Sequence, residues 1–310
     1  MNNETLNCLP PSGGILVLDK PYGISSHDAV NRVRRLYGTK QVGHTGTLDP
    51  IATGVLCILI GRAVKASEYS LSHPKTYCAL TRLGVETDTD DITGNVLLQN
   101  DFSNIDFRKI KQASESFLGE GYQIPPMYSA IKRNGKKLYE LARSGETVDR
   151  APRRIFIHSI TAEKKSEAEY RIWCTVSSGT YIRTLCRNIS EIAGTTSCMV
   201  SLRRLSACGY DITQAHTLEE IEQMSLEQRI SSLLPTETLF LDRKKIILSP
   251  FYERLFRSGC SISLKKIGIE NEQEDVEYRI CGIDSGFFAL GKTKQSPEGT
   301  VVKSLKLFSL

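Results

Sequence analysis

His44 and Asp49 stand five residues apart in QVGHTGTLDPIATG, residues 41–54. A loop carboxylate can attack an electron-poor carbon, remove a proton or stabilise developing positive charge. Gly43 and Gly46 would let the backbone approach a ligand closely. Asp49-Pro50 favours an extended or turn conformation at the aspartate. An Asp-Pro pair alone is ordinarily a turn, and the spacing of His44 from Asp49 matches no zinc pattern. Further along, SGTYIRTL (178–185) offers a phenol at Tyr181 and a guanidinium at Arg183, and LRR (202–204) carries Arg203 and Arg204. For Arg203 and Arg204 the plain reading is a solvated strand edge; for Leu202 and Tyr181 it is core. One loop carboxylate, several tyrosines and a Tyr-x-Arg turn suit chemistry on a nucleic-acid base.

These groups need elements to hold them. Val55–Ile60 is a short apolar run closed by Gly61 and predicts a buried strand at whose mouth the polar loop sits. Gly14–Leu18 predicts another strand, ending in a turn at Asp19-Lys20-Pro21-Tyr22-Gly23. Ser25 or Ser26 caps a helix with Ala29, Val30, Val33, Leu36 and Tyr37 on one face, ended by Gly38. Tyr77–Leu83, Arg154–Ala162, Ala168–Val176 and Met199–Leu205 predict strands. Phe107, Ile110, Ala113/Ser114 and Phe117 mark an amphipathic helix, and a second follows Tyr181 to about Ala193. Thr87–Gly94 predicts a long hairpin loop whose acids miss the calcium-loop pattern and read as solvated turn acids. Helical patterns run on to about Leu234, with Pro235 as a break. From about Asp242, short strand-like runs alternate with turns after one helical stretch at 251–258, as in a small β-rich domain.

The formal charge of the 310-residue chain is only +5. Residues 131–155 hold eight basic residues against three acids, including Lys132, Lys136 and Lys137. That local excess matches the whole chain's and suits a polyanion. The Pro125-Pro126 arm that precedes it cannot be helix, and Lys137–Arg143 predicts a short helix stopped near Gly145. Arm, Tyr128 and cations together suggest a clamp over an extended polyanion; a solvated basic loop is the plain alternative. Nine scattered cysteines without C-x-x-C read as reduced thiols, with no zinc site. There is no secretory leader, membrane-length apolar run, phosphate-binding glycine motif or internal repeat, so a cytoplasmic protein without a nucleotide cofactor or metal is expected. Strands and helices alternate irregularly, which argues for an α+β fold rather than βαβ units.

Seven segments carry a resemblance over nearly the whole length: LDKPYGISS (18–26), VGHTGTLDPIATGVL (42–56), KTY (75–77), LGVETDTDDITG (83–94), QIPPMYSAIKRNGKKLYELARSG (123–145), SGTYIRTL (178–185) and LRR (202–204). In this order they resemble the bacterial tRNA pseudouridine-55 synthases of the TruB type. Departures are small: Asn188 stands where an aspartate is usual, Cys57 replaces a frequent proline, and Ala193-Gly194 replaces a frequent Leu-Gly. The resemblance implies a pseudouridine synthase domain over 14–241, with a mixed, mostly antiparallel sheet, after a disordered lead-in at 1–13. It also implies an RNA-clamping insertion at 123–154 and a PUA-like domain over 242–310.

The activity so implied isomerises one uridine in the T-loop of tRNA by breaking N1–C1′ and rejoining through C5, without a cofactor. Asp49 matches the catalytic carboxylate and Arg183 its arginine partner. Tyr77 matches the aromatic residue stacked on the flipped base, and Tyr181 and Leu202 match further pocket walls. His44 matches the histidine that enters the T-loop; Lys20 and Pro21 match a motif that buttresses the active loop. The T-arm of tRNA is the expected partner and a monomer the expected state. A tRNA-binding or tRNA-folding protein whose main role needs no catalysis is the competing reading.

Overall fold

The computed structural model describes residues 9–69, 73–133, 135–270, 273–297 and 299–309. In chain order its first half holds β1 (Gly14–Lys20), α1 (Ser26–Leu36), β2 (Val42–His44), β3 (Ala52–Ile60), β4 (Lys75–Leu83), β5 (Val85–Thr87), β6 (Val96–Gln99), α2 (Phe107–Glu115) and β7 (Gly119–Gln123). Then come β8 (Lys132–Arg133), β9 (Lys136–Lys137), α3 (Leu138–Arg143), β10 (Arg153–Lys164), β11 (Glu169–Val176), α4 (Ile182–Ala193), β12 (Ser197–Ala207), β13 (Tyr210–Asp211), α5 (Leu218–Gln223), α6 (Leu226–Ser231) and β14 (Leu234–Pro235). The last part holds β15 (Lys244–Leu248), α7 (Pro250–Arg257), β16 (Ile262–Ser263), β17 (Glu277–Gly282), β18 (Gly286–Ser296) and β19 (Gly299–Leu307).

The main sheet runs β14-β1-β3-β12-β4-β11-β10-β7, with β2 also paired to β3 and β13 to β12. Among the described residues, only β12 with β3 is a parallel pairing in this sheet. Strands β1 and β3 are apolar on both faces, and both faces are covered, as a near-continuous hydrophobic run requires. Strands β4 and β11 instead alternate buried and half-buried residues, so one face is packed and the other open. Onto the packed face α4 lays Ile182, Leu185, Cys186, Ile189 and Ala193, a stripe at helical spacing. Burying each of its three large aliphatic side chains stabilises by about 1.5–3 kcal/mol. Gly194, at φ +92°, ends the helix in the left-handed region.

Two expectations change here. The strand carrying Arg203 and Arg204 is not an edge: β12 lies between β3 and β4, and Arg204 is 1% exposed. The cations interrupt its hydrophobic run, which is why the sequence pattern there looks like a short edge. Strand β7 is an addition to the expected set, since Gly119 and Gly121 hide its pattern; it closes the sheet by pairing with β10. Of the expected lead-in, residues 1–8 lie outside the described residues. The remainder is packed: Leu9 lies against the core, Gly13 N–H bonds Pro10 O, and Thr236 bonds Ser12 O.

The C-terminal strands form a second sheet, β15-β17-β18-β19-β16. Its Cys281, Phe287, Leu290 and Phe308 join one hydrophobic cluster with Ile15, Val17, Val55 and Leu59 of the main sheet. Phe240, just before the expected boundary at 241/242, lies 5.8 Å from Phe287 and 5.6 Å from Phe308, ring centre to ring centre. The boundary is therefore one of topology, not of packing.

Candidate active site

The loop between β2 and β3 is tied down from several sides. Leu48 exchanges two hydrogen bonds with the buried Ser26 hydroxyl, donating from its N–H (2.8 Å) and accepting at its carbonyl (3.0 Å). The Pro50 carbonyl accepts from Gly23 N–H at 2.8 Å and from Lys20 Nζ at 3.5 Å. Arg204 donates from Nε to Val55 O (2.6 Å) and from Nη2 to Gly46 O (3.1 Å), so its buried charge bridges the loop to β3. Gly54 permits this approach: at φ +101°, a Cβ there would meet Arg204 O at 2.2 Å. So many bonds on so few residues give Asp49 one fixed backbone setting.

Lys20 is fully buried and also donates to Pro21 O and Ile24 O, at 2.8 and 2.7 Å. Burial lowers its pKa to about 8, against the pull of the nearby Asp49 charge. Lys20 and Pro21 thus stand in the support of the loop.

Arg183 reaches the loop from the first turn of α4. A cation at a helix N-terminus opposes the helix dipole, so it needs anionic company. It has two carboxylates. Its Nε meets Asp49 Oδ2 at 2.9 Å, and its Nη1 lies 3.5 Å from Asp91 Oδ2. Nη1 also donates to Thr89 O (2.7 Å) and Nη2 to Tyr128 O (2.8 Å). The Arg183 side chain is 5% exposed, whereas that of Asp49 is 35% exposed. The carboxylate therefore faces outward while its partner is sealed. Burial raises the Asp49 pKa; Arg183 pulls it down, and Asp91 pushes it up.

Asp90 and Asp91, expected to be solvated turn acids, are buried instead. Asp91 Oδ1 accepts from Thr93 N–H (3.0 Å), and Asp90 meets Arg187 Nη1 at 3.2 Å and the Thr184 hydroxyl at 3.2 Å. The hairpin β5–β6 folds back so that Asp91 bridges to Met199 of β12, a pairing at long sequence range that local composition does not reveal. The Thr89-Asp90-Asp91 run is the available signal, and local turn rules alone place it in solvent.

Tyr77 and Leu202, each 7% exposed, lie on the same face: Arg204 is opposite Tyr77, Leu202 opposite Ala79. Leu202 is also opposite Ala52, three residues after Asp49. Both belong to the cluster that contains Leu48, Ile51 and Ile182. Tyr181 precedes α4, held by a pair of bonds with the Gln123 amide at 2.8 and 3.0 Å. Tyr77, Leu202, Tyr181, Asp49 and Arg183 thus frame one part of one sheet face. His44 sits on β2, and its Nδ1 accepts Gly46 N–H at 3.3 Å. Burial, then the charge of Arg204, lowers its pKa, so it is neutral at pH 7. Asn188 donates to Glu191 of its own helix at 2.8 Å.

The basic segment is an excursion whose two ends meet, since Gln123 pairs with Arg153 across β7 and β10. Its hairpin sets Lys132 opposite Lys137 and Arg133 opposite Lys136. Like charges directly across a strand pair repel, so this hairpin is more comfortable beside an anion than alone. Lys137 also lies over the Tyr139 ring at 5.3 Å.

The chain is similar to known proteins over most of its length. A family model described as TruB family pseudouridylate synthase (N terminal domain) matches residues 34–182, and one described as tRNA pseudouridylate synthase B C-terminal domain matches residues 183–241. The seam between them falls inside α4, before Arg183, so the two matched segments form one structural unit. A protein named tRNA pseudouridine synthase B from Chromohalobacter salexigens is 37% identical over 280 residues, 90% of each chain. One of the same name from Alkaliphilus oremlandii is 41% identical over 270 residues, covering 86% of this chain and 88% of that one. A solved structure described as a Cbf5-Nop10-Gar1 complex superposes with a TM-score of 0.72 at 23% identity, covering 97% of this chain and 89% of that one, a likeness of fold.

Proposed function

Since the chain belongs to the TruB family of pseudouridylate synthases, we propose that it converts the T-loop uridine at tRNA position 55 to pseudouridine, with Asp49 as the reacting carboxylate. The observation that carries this reading is the Asp49–Arg183 pair, with a sealed cation and an outward-facing anion. Among the described residues no hydrogen bond reaches Asp49 Oδ1, which leaves that oxygen for a substrate. Cleavage of N1–C1′ leaves the ribose electron-poor. A fixed carboxylate can act here by attack at C1′, by attack on the base, or by taking the C2′ proton. The uracil then turns, C5 bonds to C1′, and the C5 proton leaves as N1 gains one. The base must be out of its stack for this, with Tyr77 against its face and Tyr181 and Leu202 as walls. His44, neutral, has the character of a wedge rather than an acid. Release of tritium from C5-labelled uridine in a tRNA transcript tests the whole reading; wild-type protein that releases none ends it.

A protein that only binds or folds tRNA would share the basic arm. It would gain nothing from a carboxylate directed at a polyanion, nor from the buried charges behind it, which favours the enzyme. A monomer is the working unit of this reading. The five-stranded C-terminal sheet fits a PUA-like accessory domain. No helix among the described residues is long and apolar enough to cross a membrane; a cytoplasmic site of action follows from the tRNA substrate.

Two outcomes follow from charge. The reacting form of Asp49 is the anion, and its pKa lies above the ordinary value of 3.8. Activity should therefore fall, as pH is lowered, through a limb above that value. A single-turnover pH profile checks this, and a limb at or below 3.8 would contradict it. Neutralising both Lys136 and Lys137 should reduce the slope of log affinity against log salt by roughly 0.7–0.9 for each phosphate no longer engaged. An unchanged slope would remove these lysines from the RNA-binding surface.

A further inference from the structure

Behind the loop that carries His44 and Asp49 lie two thiols that the reaction does not use. Cys57 is in the middle of β3 and Cys208 directly follows β12; both are buried. Each side chain is a hydrogen-bond partner of the other. Both residues are tied to Thr45, which follows His44. The Thr45 hydroxyl lies 3.1 Å from Cys208 Sγ, and the Thr45 N–H donates to Cys57 O at 3.2 Å. Cys57 Sγ lies 3.5 Å from Ala207 O, the carbonyl next to Cys208. Two buried cations, Lys75 and Arg204, bring positive charge to the Cys208 thiol.

The backbone at Cys208 is unusual for its residue type. Ala207 pairs with Tyr210, so Cys208 and Gly209 are the two central residues of a tight hairpin turn. Their φ angles are +57° and +82°. Two positive angles make a type I′ turn, which favours Asn or Asp at the first place. The other described non-glycine residues with positive φ, Asp90 and Asp275, are aspartates. Cysteine in this setting costs free energy that Asn would not, so what the turn gains from it is the thiol. The hydrogen bond from Cys57, then Thr45 and the two cations, draw that thiol toward its anion, against burial. The bond to Cys208 and burial hold Cys57 protonated. A thiolate beside a second thiol is the arrangement that peroxides oxidise.

We propose that Cys208 and Cys57 form an oxidation site for hydrogen peroxide, and that the disulfide they make slackens the Asp49 loop. The Cys208 thiolate attacks one peroxide oxygen and the O–O bond breaks. Hydroxide leaves and takes up a proton, giving water and a sulfenic acid. The Cys57 sulfur then attacks the Cys208 sulfur, the S–O bond breaks, and a second water leaves with the Cys57 proton. The two sulfurs are oxidised by two electrons together and the peroxide is reduced by two. Access is short, because Gly209 is exposed and β13 has only two residues to unpair. In the disulfide, Cys208 can no longer donate to Thr45 and has no charge to set against Lys75 and Arg204. Arg204 holds Gly46 O, so the change reaches the loop that fixes Asp49. The loss of rate rests on the catalytic reading above; formation of the cross-link does not.

The test exposes the reduced full chain to hydrogen peroxide and digests it without reductant. Mass spectrometry should find the Cys57 and Cys208 peptides joined, lighter by the mass of two hydrogens. Single-turnover tritium release should fall by about 10²-fold, the scale for a displaced reacting group, and dithiothreitol should restore it. Cys208→Asn suits the turn, and Cys57→Ala removes the second thiol; both should keep the rate of reduced wild type and lose none of it to peroxide. Should Cys57→Ala fail to fold, Cys208→Asn alone carries the comparison. A cross-link that forms only in denaturant, an oxidised wild type that keeps its rate, or equal losses in wild type and variants would each overturn the proposal. Reduced wild type that releases no tritium ends the catalytic reading instead, and the peptide map still decides whether the two thiols join.

Discussion

Asp49→Asn should lose about 10⁴-fold or more in single-turnover rate, the scale seen when a reacting side chain is removed from a preorganised site. Binding of tRNA should stay within roughly tenfold, or about 1.4 kcal/mol. The reason is geometric: one oxygen of Asp49 is held by Arg183, and the loop that carries it is fixed by bonds that do not involve its carboxylate. Stability should move the other way. Because the folded-state pKa of Asp49 is raised, the folded chain holds that proton more tightly than the unfolded chain. Ionisation therefore costs stability as pH rises from the ordinary to the raised value, and the cost is fully present above the raised value. An amide has no charge to bury, and Arg183 keeps Asp91 as its anion, so the variant should melt no lower than wild type. A variant that loses tRNA binding and melts early would show Asp49 to be structural.

Arg183→Met should be damaging in both respects. It removes the cation shared by Asp49 and Asp91 and leaves the carbonyls of Thr89 and Tyr128 without this donor. Breaking a buried ion pair from one side costs about 3–5 kcal/mol, which denaturant melts would show. The rate at saturating tRNA should fall by roughly 10²–10³-fold, as for loss of one preorganised electrostatic partner. Its pH limb should move further up, since the group that lowers the Asp49 pKa most is gone. Arg183→Lys separates charge from shape: a single ammonium cannot reach both carboxylates and both carbonyls at once. Wild-type rate and pH profile in either variant would contradict the pairing.

Much of this is legible in the sequence, for reasons that differ by element. Helices α1 and α4 are readable because apolar spacing agrees with a capping serine before α1 and a closing glycine after α4. Strand β3 is readable from its unbroken apolar run. The motifs also bring Asp49 and Arg183 forward, although nothing local says that residues 134 apart share an ion pair. What local rules miss depends on long-range partners. Arg204 reads as an edge cation because its acceptors, Val55 O and Gly46 O, are main-chain groups that no pattern displays. Asp90 and Asp91 read as turn acids because Arg183 and Arg187 lie far along the chain. Strand β7 lacks a hydrophobic alternation and exists by pairing with β10. Each miss is a case in which the tertiary partner decides the state of the residue.

The aromatic cluster of Phe240, Phe287 and Phe308 also has a meaning for how the chain is born. On the ribosome β1 and β3 emerge early, and the cover of their rear apolar surface is completed only when Phe308, fully buried in the finished protein, has been made. Until then that surface is covered only in part, by earlier residues such as Tyr210 and Phe240, so the nascent chain is a natural client for a holding chaperone, and a stall late in translation would leave a sticky half-product rather than a smaller working enzyme.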